Sequence, residues 1–174
     1  MLWSTHCITI RRNEALAKLE IEKATLIGDM AALMNGAVEH LETALTLVDS
    51  VSEQVLASLG GPQGKYDSTD NAPIRHLAKS RIYLTLGWCA KRQGKIELAI
   101  IHLMKALELN EQDPYILYNL GCYHAANGNI ADGFRFLERS LEKLPSICAT
   151  ALKDPDLASL RRADMRKFAR LVGS

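Results

Sequence analysis

Between residues 80 and 147 the apolar positions recur at the three- and four-residue spacing of amphipathic helices. Two turn signals, Gln93-Gly94-Lys95 and Asn127-Gly128-Asn129, interrupt them. Each half of this stretch is therefore predicted to be a helical hairpin, and the two halves repeat with a period of 34. Shifting Ser80–Asp113 onto Pro114–Ile147 superposes Ile82 on Ile116, Leu86 on Leu120, Gly87 on Gly121 and Gly94 on Gly128. It also superposes Ile96 on Ile130, Leu103 on Leu137, Leu107 on Leu141 and Glu108 on Glu142. Ordinary composition would give roughly two such matches. The matches fall on positions that pack or turn, which is the mark of a structural repeat. Asp113-Pro114 opens the second unit, because the Asp side chain accepts from the first helical N–H groups and Pro lacks a donor that would have had no partner. Gly87, Gly121, Ala99 and Ala106 stand where the helices of a hairpin approach most closely.

An upstream copy is degenerate. Ala37–Leu47 aligns without gaps to Ala99–Leu109 with six identities in eleven, so it is predicted to be the second helix of a hairpin. Its partner is predicted over Asn13–Met34, ending at an Asn35-Gly36 break. The offset of 62 leaves 28 residues beyond one period. They are assigned to a helix that runs on to about Ser58, a flexible loop at Leu59–Ala72 and an early helix start at Pro73. After Pro145 a short helical piece, Ser146–Leu152, precedes Asp154-Pro155-Asp156, a start signal for a last helix ending before Gly173. On that helix Leu157, Leu160, Phe168, Leu171 and Val172 form one apolar stripe, while Arg161, Arg162, Arg166, Lys167 and Arg170 lie elsewhere. The predicted organisation is a degenerate N-terminal hairpin (1–58), a linker loop (59–72), a stretch 73–147 holding two repeat units (80–113 and 114–147), and a C-terminal capping helix (148–174).

The units resemble the tetratricopeptide repeat family. The first reads Tyr83, Leu86, Gly87, Ala90, Ala99, Leu103, Ala106, and the second Leu117, Leu120, Gly121, His124, Gly133, Leu137, Ser140, Pro145. Departures from the family pattern are Glu111 in place of Pro, and Gly133 and Ser140 in place of Ala. The resemblance implies an all-α, TPR-like solenoid of helical hairpins, closed by an amphipathic cap that covers the apolar face of the last repeat. It further implies a concave groove lined by the first helix of each unit. The groove positions fall on Arg81, Leu84, Thr85, Trp88 and Lys91, then on Tyr115, Tyr118, Asn119, Cys122 and Ala125. Trp and Tyr there would anchor a guest peptide or pack on neighbouring hairpins, and Arg81 and Lys91 would favour acidic residues on the guest. The family's carboxylate clamp for chaperone C-termini is not reproduced, since Leu84 and Trp88 stand where its first Lys and Asn belong. What the resemblance implies is a non-enzymatic adaptor, scaffold or chaperone-like binder of another protein. Secretion-apparatus chaperones are one subclass of the family.

Composition narrows the partners little. With 21 Lys plus Arg against 20 Asp plus Glu, the formal charge of +1 produces no global field for nucleic acid or anionic lipid. The ends do differ, residues 1–60 carrying 4 basic and 8 acidic groups and residues 151–174 carrying 6 and 3. The basic last helix therefore offers an alternative contact with an anionic surface or nucleic acid. No aromatic residues are interleaved with its cations to stack on bases, and the expectation is no nucleic acid partner. A homo-oligomeric assembly through Asn13–Ser58 is a third reading. No phosphate loop, nucleophile elbow or zinc spacing is present, so neither catalysis, cofactor nor metal is expected. His40 and His102 occupy equivalent repeat positions, which repeat packing explains, and Cys122 and His124, two apart on a helix, point to different faces. Cys7, Cys89, Cys122 and Cys148 are widely separated, and Cys89 and Cys148 read as small buried hydrophobes. No run of 18 apolar residues would span a membrane. Arg11 and Arg12 follow the first apolar stretch instead of preceding it, the wrong order for a secretory signal. A cytoplasmic location is expected.

Overall fold

A computed structural model describes residues 2–27, 30–52, 54, 56 and 74–173, and these contain helices and turns without a strand. The helices are α1 (Leu2–Ile27), α2 (Met30–Ser50), α3 (Ile74–Arg92), α4 (Ile96–Leu109), α5 (Pro114–Ala126), α6 (Ile130–Lys143), α7 (Cys148–Lys153), α8 (Ala158–Ala163) and α9 (Met165–Val172). Single 3₁₀ turns, Pro145–Ile147 and Pro155–Leu157, precede α7 and α8. α1 packs on α2, α3 on α4 and α5 on α6, while α2 meets α3 and α4 meets α5. The result is a helical-repeat solenoid.

Both repeat hairpins turn in the same way. Gly94 and Gly128 have φ of 76° and 81°, the left-handed region that a Cβ disfavours. In the first turn the Lys95 N–H donates to the Ala90 carbonyl (2.9 Å) and the Gly94 N–H to the Lys91 carbonyl (2.9 Å). In the second, Asn129 donates to His124 (2.8 Å) and Gly128 to Ala125 (3.2 Å). This pair of reversed bonds satisfies the last carbonyls of the first helix, as a Schellman turn does. A serine hydroxyl then ties the open end of each hairpin, from opposite sides. Ser80 Oγ donates to the Ala106 carbonyl (3.0 Å), and at the equivalent pair Ser140 Oγ donates to the Pro114 carbonyl (2.8 Å). Ser140 thus departs from the family pattern because it makes the bond that Ser80 makes in the first unit.

The N-terminal hairpin differs from expectation. Asn35 and Gly36 lie inside α2, and the two helices meet between Ile27 and Met30. The physical reason is the apolar stripe Met34, Ala37, Leu41, Ala44 and Val48, which runs unbroken through the Asn-Gly pair and is buried. Interrupting it would expose more than the ~1 kcal/mol that a helical Gly costs relative to Ala. α2 also ends at Ser50 instead of continuing to about Ser58, although Gln54 and Leu56 are again helical. The Arg75 guanidinium donates to the Val48 and Val51 carbonyls at that end, and Lys79 pairs with Asp49 at 2.9 Å. The early start of α3 thereby caps α2. The expected loop at 59–72 lies outside the described residues.

The last helix is also broken in two. Asp164 ends α8 and caps α9, accepting from the Lys167 N–H at 2.8 Å, so the stripe turns a corner and still buries Leu157, Leu160, Phe168 and Val172. Among the histidines, His102 is half-buried and stacks on Tyr83 (6.2 Å between centroids), while His124 is buried and stacks on Phe136 (5.3 Å).

Two predictions follow from this packing. Gly36→Ala, at a helical site where an added Cβ meets only the Glu20 side chain at 3.8 Å, is expected to raise stability by about 0.5–1 kcal/mol. At Gly121 an added Cβ meets the Leu137 backbone nitrogen at 3.1 Å and the Gly133 carbonyl at 3.3 Å; Gly121→Val is expected to lower stability by about 3 kcal/mol. Denaturant titration checks both. For pH, burial holds His124 and, together with Lys105, His102 below the ordinary 6.5. The unfolded chain therefore takes up these protons first. Stability is expected to be full above about pH 7.5, to fall as pH drops through 6.5 towards 5, and to fall less steeply in His102→Gln, as melting temperatures across that range would record.

Candidate functional site

The residues expected to line a groove come from α3 and α5, and the two helices present them differently. On α3, Arg81 is exposed and Leu84, Thr85 and Trp88 are half-buried. Arg81 and Thr85 line a shallow recess shared with Glu14 and Lys18 of α1. Leu84 packs against the C-terminal core and Trp88 against the N-terminal one, so Trp88 divides its surface between packing and solvent. The Arg92 guanidinium lies 4.8 Å from the Trp88 ring centroid, a cation–π contact that fixes a positive charge beside the indole.

Helix α5 is buried nearly all round, from Ile116 to Ala125 with Asn119 half-exposed. Its first turn is capped by Asp113, whose Oδ1 accepts from the N–H groups of Tyr115 (2.8 Å) and Ile116 (3.3 Å). Tyr115 is 42% exposed, and Asn119 Nδ2 donates to the Tyr115 carbonyl at 2.8 Å. Tyr118 and Cys122 are buried instead of open to solvent as a groove position would require, because Asp154 lies on them. The Tyr118 hydroxyl donates to Asp154 Oδ2 at 2.8 Å, and the Cys122 thiol donates to the same oxygen at 3.7 Å. Ala125 is covered too, its carbonyl accepting from Ser159 Oγ at 2.7 Å. Lys91 pairs with Asp156 and sits 5.5 Å from the Tyr123 ring centroid.

The ten expected groove residues therefore fall into two sets. Arg81, Leu84, Thr85, Trp88, Tyr115 and Asn119 keep surface open to solvent, whereas Lys91, Tyr118, Cys122 and Ala125 hold the C-terminal segment. The residues that contact Tyr118, Cys122 and Lys91, namely Asp154 and Asp156, were not among the candidates. A signal for them exists, since Asp154-Pro155 repeats the Asp113-Pro114 dipeptide: Asp154 Oδ1 accepts from the Asp156 N–H at 2.9 Å and starts its turn as Asp113 starts α5. Arg161 secures the segment from behind, donating to the carbonyls of Ala151 (3.2 Å), Leu152 (3.3 Å) and Asp154 (2.8 Å). Of the five cations expected away from the apolar stripe, Arg161 is thus used in the cap. Lys167 lies 4.7 Å from the Phe134 ring centroid, and Arg162, Arg166 and Arg170 are exposed.

Burial disfavours the thiolate at both buried cysteines of the repeat units. Burial pushes the Cys89 thiol up to about 11. Burial, then Asp154 and Asp156, raise Cys122, and burial, then Cys122 and Asp154, raise Tyr118. Both thiols are protonated near neutral pH, the unreactive form. Cys148 is half-buried, not the buried hydrophobe expected. Gly133, another departure from the family pattern, is explained by the cap: an added Cβ would lie 2.9 Å from Leu160 Cδ2 and 3.3 Å from the Ala125 nitrogen.

Residues 80–113 match the family model of the tetratricopeptide repeat, the window of the first repeat unit, and this stretch is a tetratricopeptide repeat. No curated protein matches the chain. Solved structures do match it; one, a crystal structure of MamA protein, is 17% identical, with a TM-score of 0.45 over 95% of this chain and 91% of that chain. Among the described residues no helix is long and apolar enough to cross a membrane.

Seating of the acidic segment is expected to be measurable. Tyr118→Phe removes one hydrogen bond and should cost about 1 kcal/mol. Asp154→Ala removes that bond and the turn cap together and should cost about 2–3 kcal/mol. Urea unfolding of the two variants beside the parent chain gives the comparison.

Proposed function

We propose that this chain is a non-enzymatic interaction module that binds an acidic segment of another protein on the concave side of α3, through Arg81, Leu84 and Trp88 with Tyr115 and Asn119. One observation carries the reading. The adjoining stretch of the same surface already binds an acidic segment of its own chain, two aspartates being held by the Tyr118 hydroxyl, the Cys122 thiol and the Lys91 ammonium. Comparable chemistry continues along α3 as Arg81 and as Arg92 over the Trp88 ring. Lys91, Tyr118 and Cys122 form the inner end of the groove, where a guest abuts the cap.

The division of labour follows from side-chain type. Trp88 and Leu84 supply apolar contact area and Arg81 a planar fork of donors, and Trp and Arg are the residues that most often dominate binding energy. Charge sets which guests approach, and the apolar anchors set how long they stay. An extended segment or the acidic face of a helix fits the same requirement.

Retention on a peptide array that pairs Asp or Glu with Leu or Phe, against the same peptides with Lys replacing the acids, tests this function. Acidic peptides are expected to bind, about tenfold more weakly to Arg81→Glu and more than tenfold more weakly to Trp88→Ala. Equal retention of both peptide sets, or undiminished binding by a natively folded Trp88→Ala protein, overturns it.

A further inference from the structure

The outer face of α4 carries large apolar side chains in a line: Leu98 is 39%, Ile101 51% and Met104 37% exposed. The repeat itself supplies the comparison that makes this line informative. Thirty-four residues on, the equivalent positions of α6 are Asp132, Arg135 and Glu138, with Arg135 and Asp132 paired at 2.8 Å. In the upstream copy, at the offset of 62, they are Gly36, Glu39 and Glu42. Flanking helices of the same solenoid therefore use polar residues or glycine at these positions, and nothing in hairpin packing asks for Leu, Ile and Met. The stripe has a use outside the repeat.

We propose that this face of α4 is a two-fold interface with a second copy of the chain, the two α4 helices running antiparallel about Ile101. The commitment to a second copy rests on charge. In an antiparallel pair centred on residue 101, Ile101 meets its own equivalent and Leu98 meets Met104 of the second copy, so the apolar line is complementary to itself. Position 97 then faces position 105, and these are Glu97 and Lys105, both exposed. Each half of the dimer thus repeats the same Leu98–Met104 contact and the same Glu97–Lys105 attraction, the arrangement that an isologous interface requires. Lys105 also lies 5.6 Å from the Tyr83 ring centroid, which holds its ammonium near the α4 surface. A parallel pair would set Glu97 against Glu97 and Lys105 against Lys105.

The contact is short. From Leu98 to Met104 the helix rises about 9 Å, so the buried area is at the low end for a specific interface, and a dissociation constant of about 10–100 µM is the scale to expect. The interface uses the second helix of a hairpin, while the concave side belongs to the first helices, so a dimer presents two grooves at once.

Sedimentation velocity of the full chain between about 10 µM and 1 mM tests the proposal. The expected result is a mass rising with concentration towards twice 19.3 kDa, abolished by Ile101→Arg with circular dichroism unchanged. Glu97→Lys and Lys105→Glu are each expected to weaken the dimer about tenfold, and the double variant to restore it, since the reversed charges again face each other. A mass that stays at that of one chain throughout overturns the proposal, including the case in which Ile101→Arg lowers the melting temperature because the chain covers its own stripe. So does a dimer that survives Ile101→Arg, or a double variant that does not recover.

Discussion

Close contact between two helix backbones is the constraint on which this molecule is built. At Gly87 an added Cβ would lie 3.0 Å from Leu103 Cγ and 3.2 Å from the Ala99 carbonyl, and at Gly121 the nearest atoms are the backbone of Leu137 and Gly133. Glycine there lets each first helix lie in the surface of its second, and the flanking side chains, Leu86, Leu103, Leu120 and Leu137, are buried as a consequence. The turns at Gly94 and Gly128 then need to do no more than reverse the chain. Because the two hairpins share one internal geometry, α4 can receive α5 much as α2 receives α3, and the stack propagates.

A stack must end, and the ending shapes the surface available to a partner. The C-terminal segment covers α5 by laying Leu157 and Leu160 on the last hairpin, at a spot where Gly133 leaves room for Leu160. Covering the apolar edge also covers side chains of α3 and α5, since Asp154 reaches Tyr118 and Cys122 and Asp156 reaches Lys91. The half-buried Asp154 carboxylate is stable in such a place because it accepts several hydrogen bonds, from a hydroxyl, a thiol and a backbone N–H. One aspartate therefore serves as helix-turn cap and as hydrogen-bond partner of Tyr118 and Cys122.

Among the described residues, two solvent-facing stretches of the first repeat unit stand apart: the part of α3 around Arg81 and Trp88, and the outer line of α4 from Leu98 to Met104. They lie on different helices of the same hairpin and carry different chemistry, cationic and aromatic on the first, aliphatic and self-complementary on the second. A repeat unit has few positions that are free to vary, since turn, contact and core residues are committed to the hairpin. Departures on the solvent face of one unit, where its neighbours carry charged residues or glycine, are for that reason informative.

Local sequence determined whatever depends on residues close together: the period of 34, the glycine turns, the small-residue contacts and the Asp-Pro helix start are all legible from spacing and residue type. Tertiary structure alone decided the rest, for identifiable reasons. Asn35-Gly36 carries the same turn signal as Asn127-Gly128, yet it is helical, because the stripe from Met34 to Val48 is buried as one surface and its packing outweighs the local preference. Asp164 interrupts the last helix by capping the next one, which no apolar period reveals. Tyr118 and Cys122 occupy groove positions by register but lie under Asp154 and are shut off from solvent. That contact joins residues 36 apart on the chain, and only a folded backbone brings a carboxylate and a phenol that distant in sequence within hydrogen-bonding reach.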